Sequence, residues 1–261
     1  MRKSVLLAFL IVFVICLNQT PTWSEGLPFS GASDTVVTPS GKDTVEEEEI
    51  DVEFKTVFTS DPIQPYNRAI FTFNDTLYHY GLKPLCKGYN AVVPEPARRS
   101  VANFFRNLKM PKRFFNCLFQ GKIKGAGTEA LRFVINSTVG IGGLFDPATK
   151  VFNLEIQDED FGQTLGHYHS GQGAYIVWPF LGPSNVRDTF GFIGDMFLDP
   201  LFWVSVAVDP YVGTGLRAYR TVNDVSIDKG KVYEDLTEAA IDPYIAIQDA
   251  YIHNRIMKIR E

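Results

Sequence analysis

The amino-acid sequence predicts an all-α protein assembled from short helices, and two observations lead to this prediction. The dipeptide Asp-Pro occurs five times after residue 60. An aspartate carboxylate caps the first backbone N–H groups of a helix, and proline suits the first turn because it has no N–H to leave unpaired. In addition, few stretches alternate between apolar and polar residues as half-buried strands do. The exceptions, 175–180 and 156–161, are expected to be extended.

The composition is that of a protein with a packed core and an unusual aromatic content. Of the 261 residues, 45% are hydrophobic and 21% are charged. These proportions exclude collagen, coiled coil and global disorder. Aromatic residues make up 13% of the chain, and 21 residues are phenylalanine. So many aromatic side chains favour contact with an apolar phase.

The first 24 residues are predicted to be a cleaved signal peptide. Arg2 and Lys3 precede an uninterrupted apolar run over 5–17, and this run is shorter than a membrane span. Cleavage is expected after Ser24. The alternative is a lipoprotein signal in which Cys16 is lipidated, but Ile15 stands where that signal needs a small residue.

Residues 25–58 are predicted to be a disordered acidic linker. They hold nine acidic and two basic residues and show no helical or strand periodicity. The remaining body, 59–261, is predicted to be one helical domain, and its acidic and basic residues balance. A neutral body argues against a nucleic-acid partner, since binding to phosphate backbones needs an excess of positive charge.

The clearest predicted helix covers 96–109 and is followed by a second short helix. Apolar residues recur at intervals of three and four along the first helix, so they share one face. Across 87–132 there are ten basic and two acidic residues. The phenylalanine face is either a core face with solvated cations or a membrane-interface face whose cations meet lipid phosphates. The residues of the second interpretation are Arg98, Arg99, Phe104, Phe105, Phe114 and Phe115.

A second apolar segment covers 196–208 and contains one charge, Asp199. Its length suits a buried core helix or an interfacial piece and not a membrane span. Asp199-Pro200 is expected to break it into a helix–turn–helix wedge. In the interfacial interpretation, Phe197, Phe202 and Trp203 contact the membrane.

Motifs for catalysis and metal binding are weak in this sequence. His167 and His169 flank one tyrosine and could act with Asp188 in hydrolysis, but two histidines do not make a zinc site. We therefore predict no catalytic residue, no metal and no cofactor. Cys86 and Cys117 remain after export, and either a disulfide or two buried thiols are compatible with the sequence.

Several motifs, in order along three quarters of the chain, resemble the MlaA (VacJ) family of outer-membrane lipid-asymmetry proteins. The first blocks are Asp61-Pro62 with Asn67-Arg68, then Val93-Pro94 with Pro96-Ala97-Arg98, and Arg132-Phe133 with Asn136-Ser137-Thr138. The strongest block runs over 161–168 and 179–184 and closes with Arg187-Asp188. Asp242-Pro243-Tyr244 completes the pattern.

The resemblance implies a ring-like helical body embedded in one leaflet of a bacterial outer membrane, at its periplasmic face. It also implies a non-enzymatic function, the removal of misplaced phospholipids from the outer leaflet and their delivery to a periplasmic lipid carrier protein (MlaC-like). A trimeric porin is a further implied partner. A periplasmic lipid hydrolase using His167 or His169, and a membrane-associated envelope scaffold, are the alternatives.

Three glycines near a helix end, Gly140, Gly142 and Gly143, are the candidate hinge of a lipid passage. Glycine leaves room for a head group and permits rearrangement of the backbone. The simpler interpretation is a helix terminus followed by a tight loop.

Overall fold

The computed structural model describes residues 61–260. The predicted signal peptide with Cys16 and the predicted acidic linker lie outside the described residues. Within 61–260 the all-α prediction is confirmed: helices dominate, and two short strands pair with each other. The helices are α1 Gln64–Leu77, α2 Lys83–Val92, α3 Glu95–Leu108, α4 Met110–Phe119, α5 Ile123–Thr138, α6 Pro147–Lys150, α7 Phe161–His167, α8 Val186–Leu198, α9 Pro200–Ala207, α10 Pro210–Asp224, α11 Gly230–Glu238 and α12 Pro243–Arg260.

Two π-helical segments connect consecutive helices. Tyr78–Leu82 joins α1 to α2, and Val225–Lys229 joins α10 to α11. The strands are β1 Tyr175–Trp178 and β2 Gly182–Asn185, which pair antiparallel. The prediction of an extended segment is therefore confirmed at 175–178. Segment 156–160 is unpaired, and Phe161 begins α7, so the second extended prediction is wrong at its last residue.

Four of the five Asp-Pro dipeptides begin helices as predicted, because the aspartate side chain accepts a backbone N–H of the first turn. These caps are Asp146, Asp199, Asp209 and Asp242. Asp61 is the exception, since α1 starts at Gln64 without a side-chain cap. The Asp61 carboxylate instead accepts hydrogen bonds from Asn67 Nδ2 at 2.7 Å and from the Tyr244 hydroxyl. It therefore ties α1 to α12.

The small sheet is held against α1 by two amide side chains, those of Asn67 and Asn74. Asn67 is fully buried, donates to the Tyr175 carbonyl at 3.0 Å and accepts from Val177 N at 2.8 Å. Tyr175, Val177 and Tyr244 form the hydrophobic cluster beside it. Asn74 donates to the Trp178 carbonyl at 2.9 Å and accepts from Phe180 N at 2.8 Å, so two side chains of α1 take the place of a third strand as hydrogen-bond partners of β1.

Candidate functional site

The described residues show an unusual distribution of polarity. Twenty-three polar or charged residues are buried, against twelve hydrophobic ones. Thirty-five large hydrophobic residues are exposed. Soluble proteins bury most of their large apolar side chains and rarely bury arginine, lysine or glutamate. The interior of this fold is polar, and its surface carries extensive apolar area.

A chain of buried ion pairs joins α4, α5 and the start of α6. Arg113 Nε donates to Glu129 Oε2 at 2.7 Å, and Arg132 Nη2 lies 3.1 Å from Asp146 Oδ2. Asn136 Nδ2 also donates to Asp146, at 2.9 Å. Burial raises the pKa of Asp146, but hydrogen bonds from Asn136 and Thr149 and the charge of Arg132 outweigh it and lower that pKa. The Asp146 carboxylate therefore stays ionised and paired with Arg132.

A second buried network centres on Arg255 of α12. Its guanidinium lies 2.6 Å from Asp160 and 2.7 Å from Asp188. Asp188 also accepts from Arg187 Nε at 2.9 Å and from the Tyr251 hydroxyl. The loop before α7, the start of α8 and α12 are held together in this way.

This network removes the basis for the hydrolase hypothesis. The contacts of Asp188 are with the two arginines, Tyr251 and Asn185, and none of its hydrogen bonds among the described residues is to a histidine. His167 and His169 are exposed, and the His167 ring packs edge-on against Tyr168 at 5.3 Å. The predicted base and its orienting carboxylate are not brought together.

The three candidate hinge glycines form a tight turn after α5. A Cβ on Gly140 would lie 2.4 Å from the Asn136 carbonyl oxygen, and one on Gly143 would lie 2.7 Å from the Asn107 side chain. Gly142 and Gly143 have φ of +67° and +88°. Close packing accounts for Gly140 and Gly143, whereas Gly142 faces open space and is constrained by its backbone alone. The hinge role stays a prediction.

Exposed apolar side chains surround this glycine turn. Five residues on the turn and on the segment after α6 are more than half exposed: Val139, Ile141, Phe145, Val151 and Phe152. Exposing an apolar patch of this kind to water is unfavourable, so contact with an apolar phase or a partner is expected there.

The predicted helical wedge is confirmed, since α8 and α9 meet at Asp199 with a bend of 64°. No single helix within 61–260 is long and apolar enough to cross a bilayer, although this bent pair passes the length and composition test together. Next to the bend lies an apolar pocket of about 490 Å³. Its lining includes Phe115, Phe197, Leu198, Pro200 and Trp203.

The predicted interface residues divide into two groups. Phe104, Phe115, Phe197 and Trp203 are exposed, and Phe114 and Phe202 are half-buried. Phe105 is a correction, because it is 4% exposed and packs against the Tyr219 ring at 6.2 Å. It is a core residue that shares its helix with the exposed Phe104.

The two predicted interface arginines also differ. Arg98 donates to the carbonyls of Val93 and Ser226, so it serves the packing of α3 against the second π-helical segment. Arg99 is exposed and pairs with Glu95 at 2.7 Å. Only Arg99 has the exposure that contact with a lipid head group needs.

The sequence interpretation missed the polar interior. Arg113 belongs to the basic stretch 87–132, whose cations were expected to meet solvent or lipid phosphates, and the structure buries it. One signal could have identified its partner, because Glu129 is one of only two acidic residues among ten basic ones over 87–132. A single acidic residue among so many basic ones is expected to form an ion pair with one of them if it is buried.

The two cysteines within 61–260 are thiols and not a disulfide. Cys86 and Cys117 are both buried and free. Burial raises the pKa of each thiol to about 11. Within 61–260, no group of three or more His, Cys, Asp or Glu residues is placed to hold a metal ion.

The fold and its polarity define a class of protein: an all-α body with a polar interior and an apolar surface, as expected of proteins that work in or on a bilayer. The family of MlaA lipoproteins matches residues 59–258, and the chain belongs to this family.

Two relatives and one solved structure illustrate the likeness. The intermembrane phospholipid transport system lipoprotein MlaA of Escherichia coli K12 is 32% identical over 198 residues, covering 74% of this chain and 75% of its own length. The protein of the same name from Haemophilus influenzae is 32% identical over 204 residues, covering 77% of this chain and 80% of its own length. A solved structure described as the structural basis for maintenance of bacterial outer membrane lipid asymmetry has a TM-score of 0.64 and 29% identity. That comparison covers 77% of this chain and 99% of the other.

Proposed function

We propose that this protein removes mislocalised phospholipids from the outer leaflet of a bacterial outer membrane and passes them to a periplasmic carrier, without catalysing a reaction. The activity maintains the lipid asymmetry of that membrane. The relatives named as intermembrane phospholipid transport lipoproteins support this proposal.

The observation that carries the proposal is the polar interior beneath an apolar surface. Moving a charged head group through hydrocarbon is expensive, whereas acyl chains favour an apolar environment. Buried side chains such as Glu129, Arg132 and Asp146 offer a polar interior, and the exposed apolar residues suit contact with lipid tails. The arrangement lowers the barrier for a molecule that is polar at one end and apolar at the other.

The protein is proposed to lie in one leaflet, at the periplasmic face of the outer membrane, with a ring-like body. The bent pair α8 and α9 supports this position, because a break of 64° at Asp199 suits a segment that enters a leaflet and turns back. Exposed Phe197 and Trp203 on this pair, with Phe115 beside them, would contact the acyl chains. These three residues provide the apolar area for retention in the membrane.

Two protein partners complete the proposal. Phospholipid tails do not cross an aqueous compartment unshielded, because exposing apolar surface to water is unfavourable. Delivery therefore needs a soluble MlaC-like carrier that covers the tails. A trimeric porin is the proposed neighbour in the membrane, and exposed apolar area such as that around Gly142 provides surface for such a contact.

The function is tested in cells that lack this chain. A membrane-impermeant amine reagent labels phosphatidylethanolamine in the outer leaflet, and restoring the wild-type chain should lower that labelling severalfold. Labelling that is the same with and without the chain would refute the transport proposal and favour the scaffold alternative.

The same cells distinguish transport from hydrolysis. Transport returns intact phospholipid, whereas a hydrolase releases fatty acid in proportion to the amount of chain. The double variant His167→Ala/His169→Ala should act as the wild type does, because both histidines are exposed and the Asp188 carboxylate bonds to Asn185, Arg187, Tyr251 and Arg255 instead. Released fatty acid that disappears in this variant would establish the enzyme alternative instead.

A further inference from the structure

Two arginines on α10 are buried without a carboxylate at close range. Arg217 and Arg220 are 1% and 2% exposed. The Nε atoms of both and Nη2 of Arg217 have no hydrogen-bond acceptor within the described part of the chain. Three residues apart on one helix, they lie on the same face. Three buried donors are thus gathered in one place.

Arg132, Arg187 and Arg255 also have one buried nitrogen each without a hydrogen-bond acceptor, so the contrast with the α10 pair lies in the distance to a carboxylate. The other four buried arginines in 61–260 each lie within 3.1 Å of a carboxylate oxygen, namely Arg113, Arg132, Arg187 and Arg255. For the α10 pair, Asp199 Oδ2 lies 4.0 Å from Arg220 Nη1, at the limit of an ion pair. Asp199 Oδ1 is already used, since it caps α9 by accepting from Leu201 N at 2.9 Å.

The local charge is therefore unbalanced. Two guanidinium groups face one carboxylate, which leaves one positive charge in excess. Burial lowers the pKa of Arg217, Asp199 opposes that shift, and the like charge of Arg220 adds to it. A buried charge without a partner is strongly unfavourable, so an arrangement of this kind needs a compensating anion.

The surrounding helices hold the pair in place. A Cβ on Gly213 would lie 1.9 Å from Ser205 Oγ, so α9 and α10 are in direct contact one turn before Arg217. One turn after Arg220, the fully buried Asn223 donates to the Arg98 carbonyl at 3.0 Å and accepts from the Tyr89 hydroxyl at 2.9 Å. The guanidinium groups are positioned by the fold before any ligand arrives.

We propose that Arg217 and Arg220 form an anion site for a phosphate group and that, given the proposed function, this group is the phosphodiester of a phospholipid. Guanidinium groups bind phosphate oxygens through charge-assisted hydrogen bonds. A phosphodiester carries one negative charge, which equals the excess positive charge of the cluster. Leu198 and Pro200, the sequence neighbours of Asp199, line the apolar pocket next to the helix break. The site thus lies beside a surface that suits an acyl chain.

The test uses the full chain in non-ionic detergent and three probes: inorganic phosphate, dihexanoylphosphatidylglycerol and dihexanoylglycerol, which has no phosphate. Calorimetric titration gives affinities, and thermal unfolding gives the melting temperature. The wild type should bind the phosphatidylglycerol and should bind dihexanoylglycerol at least ten times more weakly. The double variant Arg217→Met/Arg220→Met should lose at least tenfold in affinity for phosphatidylglycerol, and the double lysine variant should retain part of it.

Stability of the ligand-free protein separates a binding role from a structural one. The double methionine variant should melt at the wild-type temperature or above, because it removes buried charges that lack full pairing. The matched control Arg113→Met should melt several degrees lower, because it removes the close ionic partner of the buried Glu129 carboxylate. A double methionine variant that is destabilised like this control, or that binds phosphatidylglycerol as the wild type does, would overturn the site.

The remaining outcomes assign the source of the phosphate. Equal affinities for inorganic phosphate and phosphatidylglycerol would overturn the head-group assignment in favour of free phosphate. Only the assignment of the phosphate to a phospholipid rests on the proposed function. The anion site and the transport function can therefore fail separately. Lipid movement in cells that is unaffected by both methionine substitutions refutes the site and leaves the function, whereas a wild type that moves no lipid refutes the function.

Discussion

Arg113 Nε donates to Glu129 Oε2 over 2.7 Å, although the two side chains are only 6% and 0% exposed. The pair joins α4 to α5. The other carboxylate oxygen of Glu129 accepts from Gln157 N at 2.8 Å, which attaches the segment before α7 to the same point. One buried carboxylate therefore organises three parts of the chain.

The first prediction compares two arginine–glutamate pairs that have the same 2.7 Å separation and different burial. Arg113→Ala should lower the free energy of unfolding by about 3–5 kcal/mol, because it removes the close ionic partner of a buried carboxylate and leaves Glu129 with Arg132 Nε at 3.9 Å. Arg99→Ala removes an exposed pair with Glu95, whose side chains are 56% and 57% exposed, and should cost at most about 1 kcal/mol. Chemical denaturation of both variants in detergent measures the difference. Equal losses would contradict the view that burial gives the first pair its importance.

The sequence predicted the helices well because their signals are local. Caps such as Asp209 act on backbone atoms two or three residues away, and the apolar interval from Phe104 to Leu108 lies within one helix. The same signals identified the break at Asp199. Asp61 failed because its partner, Tyr244, is 183 residues distant and no local pattern reveals it.

The candidate site was less predictable because an amphipathic pattern does not say which face is buried. Phe104 and Phe105 are neighbours in one predicted stripe, yet one is 40% exposed and the other 4%. The expected rule of polar outside and apolar inside also fails in this fold, so Arg113 and Arg217 were not candidates. Their burial depends on which helices meet, and the sequence does not state this.

The second prediction concerns retention in the membrane. Phe115 and Phe197 are 40% and 54% exposed and line the same apolar pocket. The variant Phe115→Ser/Phe197→Ser should weaken membrane partitioning roughly 100-fold, since each phenylalanine contributes about 1.5 kcal/mol when it is buried in lipid. Its circular dichroism should remain that of the wild type. The measurement is sedimentation with liposomes over a range of lipid concentrations.

Phe105→Ser is the matched control for that experiment. Phe105 is 4% exposed, so this change should reduce helical content or the melting temperature instead of partitioning alone. Partitioning that survives in the double variant would show that its two rings do not face lipid.

The third prediction separates the two interpretations of the glycine turn. Gly142→Ala adds a Cβ that meets nothing within 4 Å, so its cost is that of an L-residue at φ +67°, about 1 kcal/mol. If Gly142 is a hinge, lipid movement per folded molecule falls severalfold at that small stability cost. Gly143→Ala is the packing control, because its Cβ would lie 2.7 Å from the Asn107 side chain. Activity of Gly142→Ala that follows only the amount of folded protein would leave the turn as a plain helix terminus.

The fourth prediction concerns the two thiols. Cys86 and Cys117 are buried and free, and burial raises the pKa of each to about 11. The thiolate is the reactive form, so native protein at pH 8 should react with iodoacetamide far more slowly than denatured protein does. Mass spectrometry should find two alkylated cysteines among residues 61–260 after denaturation without reductant. A reductant requirement would reveal a disulfide and contradict the structure.

The fifth prediction concerns acid stability and rests on Asp158 and Lys258, whose side chains form an ion pair. Burial on its own raises the pKa of Asp158, but the charge and hydrogen bond of Lys258 outweigh it, and the pKa falls from 3.8 to about 2. A carboxyl whose pKa is lower in the folded state binds its proton more readily when unfolded. Its contribution to stability is therefore complete above about pH 4 and is lost as the pH falls from there towards 2.

The melting temperature of the wild type should fall over this range. Asp158→Asn should start from a lower melting temperature at pH 6 and show a shallower fall between pH 4 and 2. The remaining slope comes from the other carboxyl groups whose pKa values are lowered, namely Asp146, Asp160, Glu234 and Asp242. Parallel curves for the two proteins would mean that Asp158 titrates alike in the folded and unfolded chains, and that its pairing with Lys258 does not stabilise the fold.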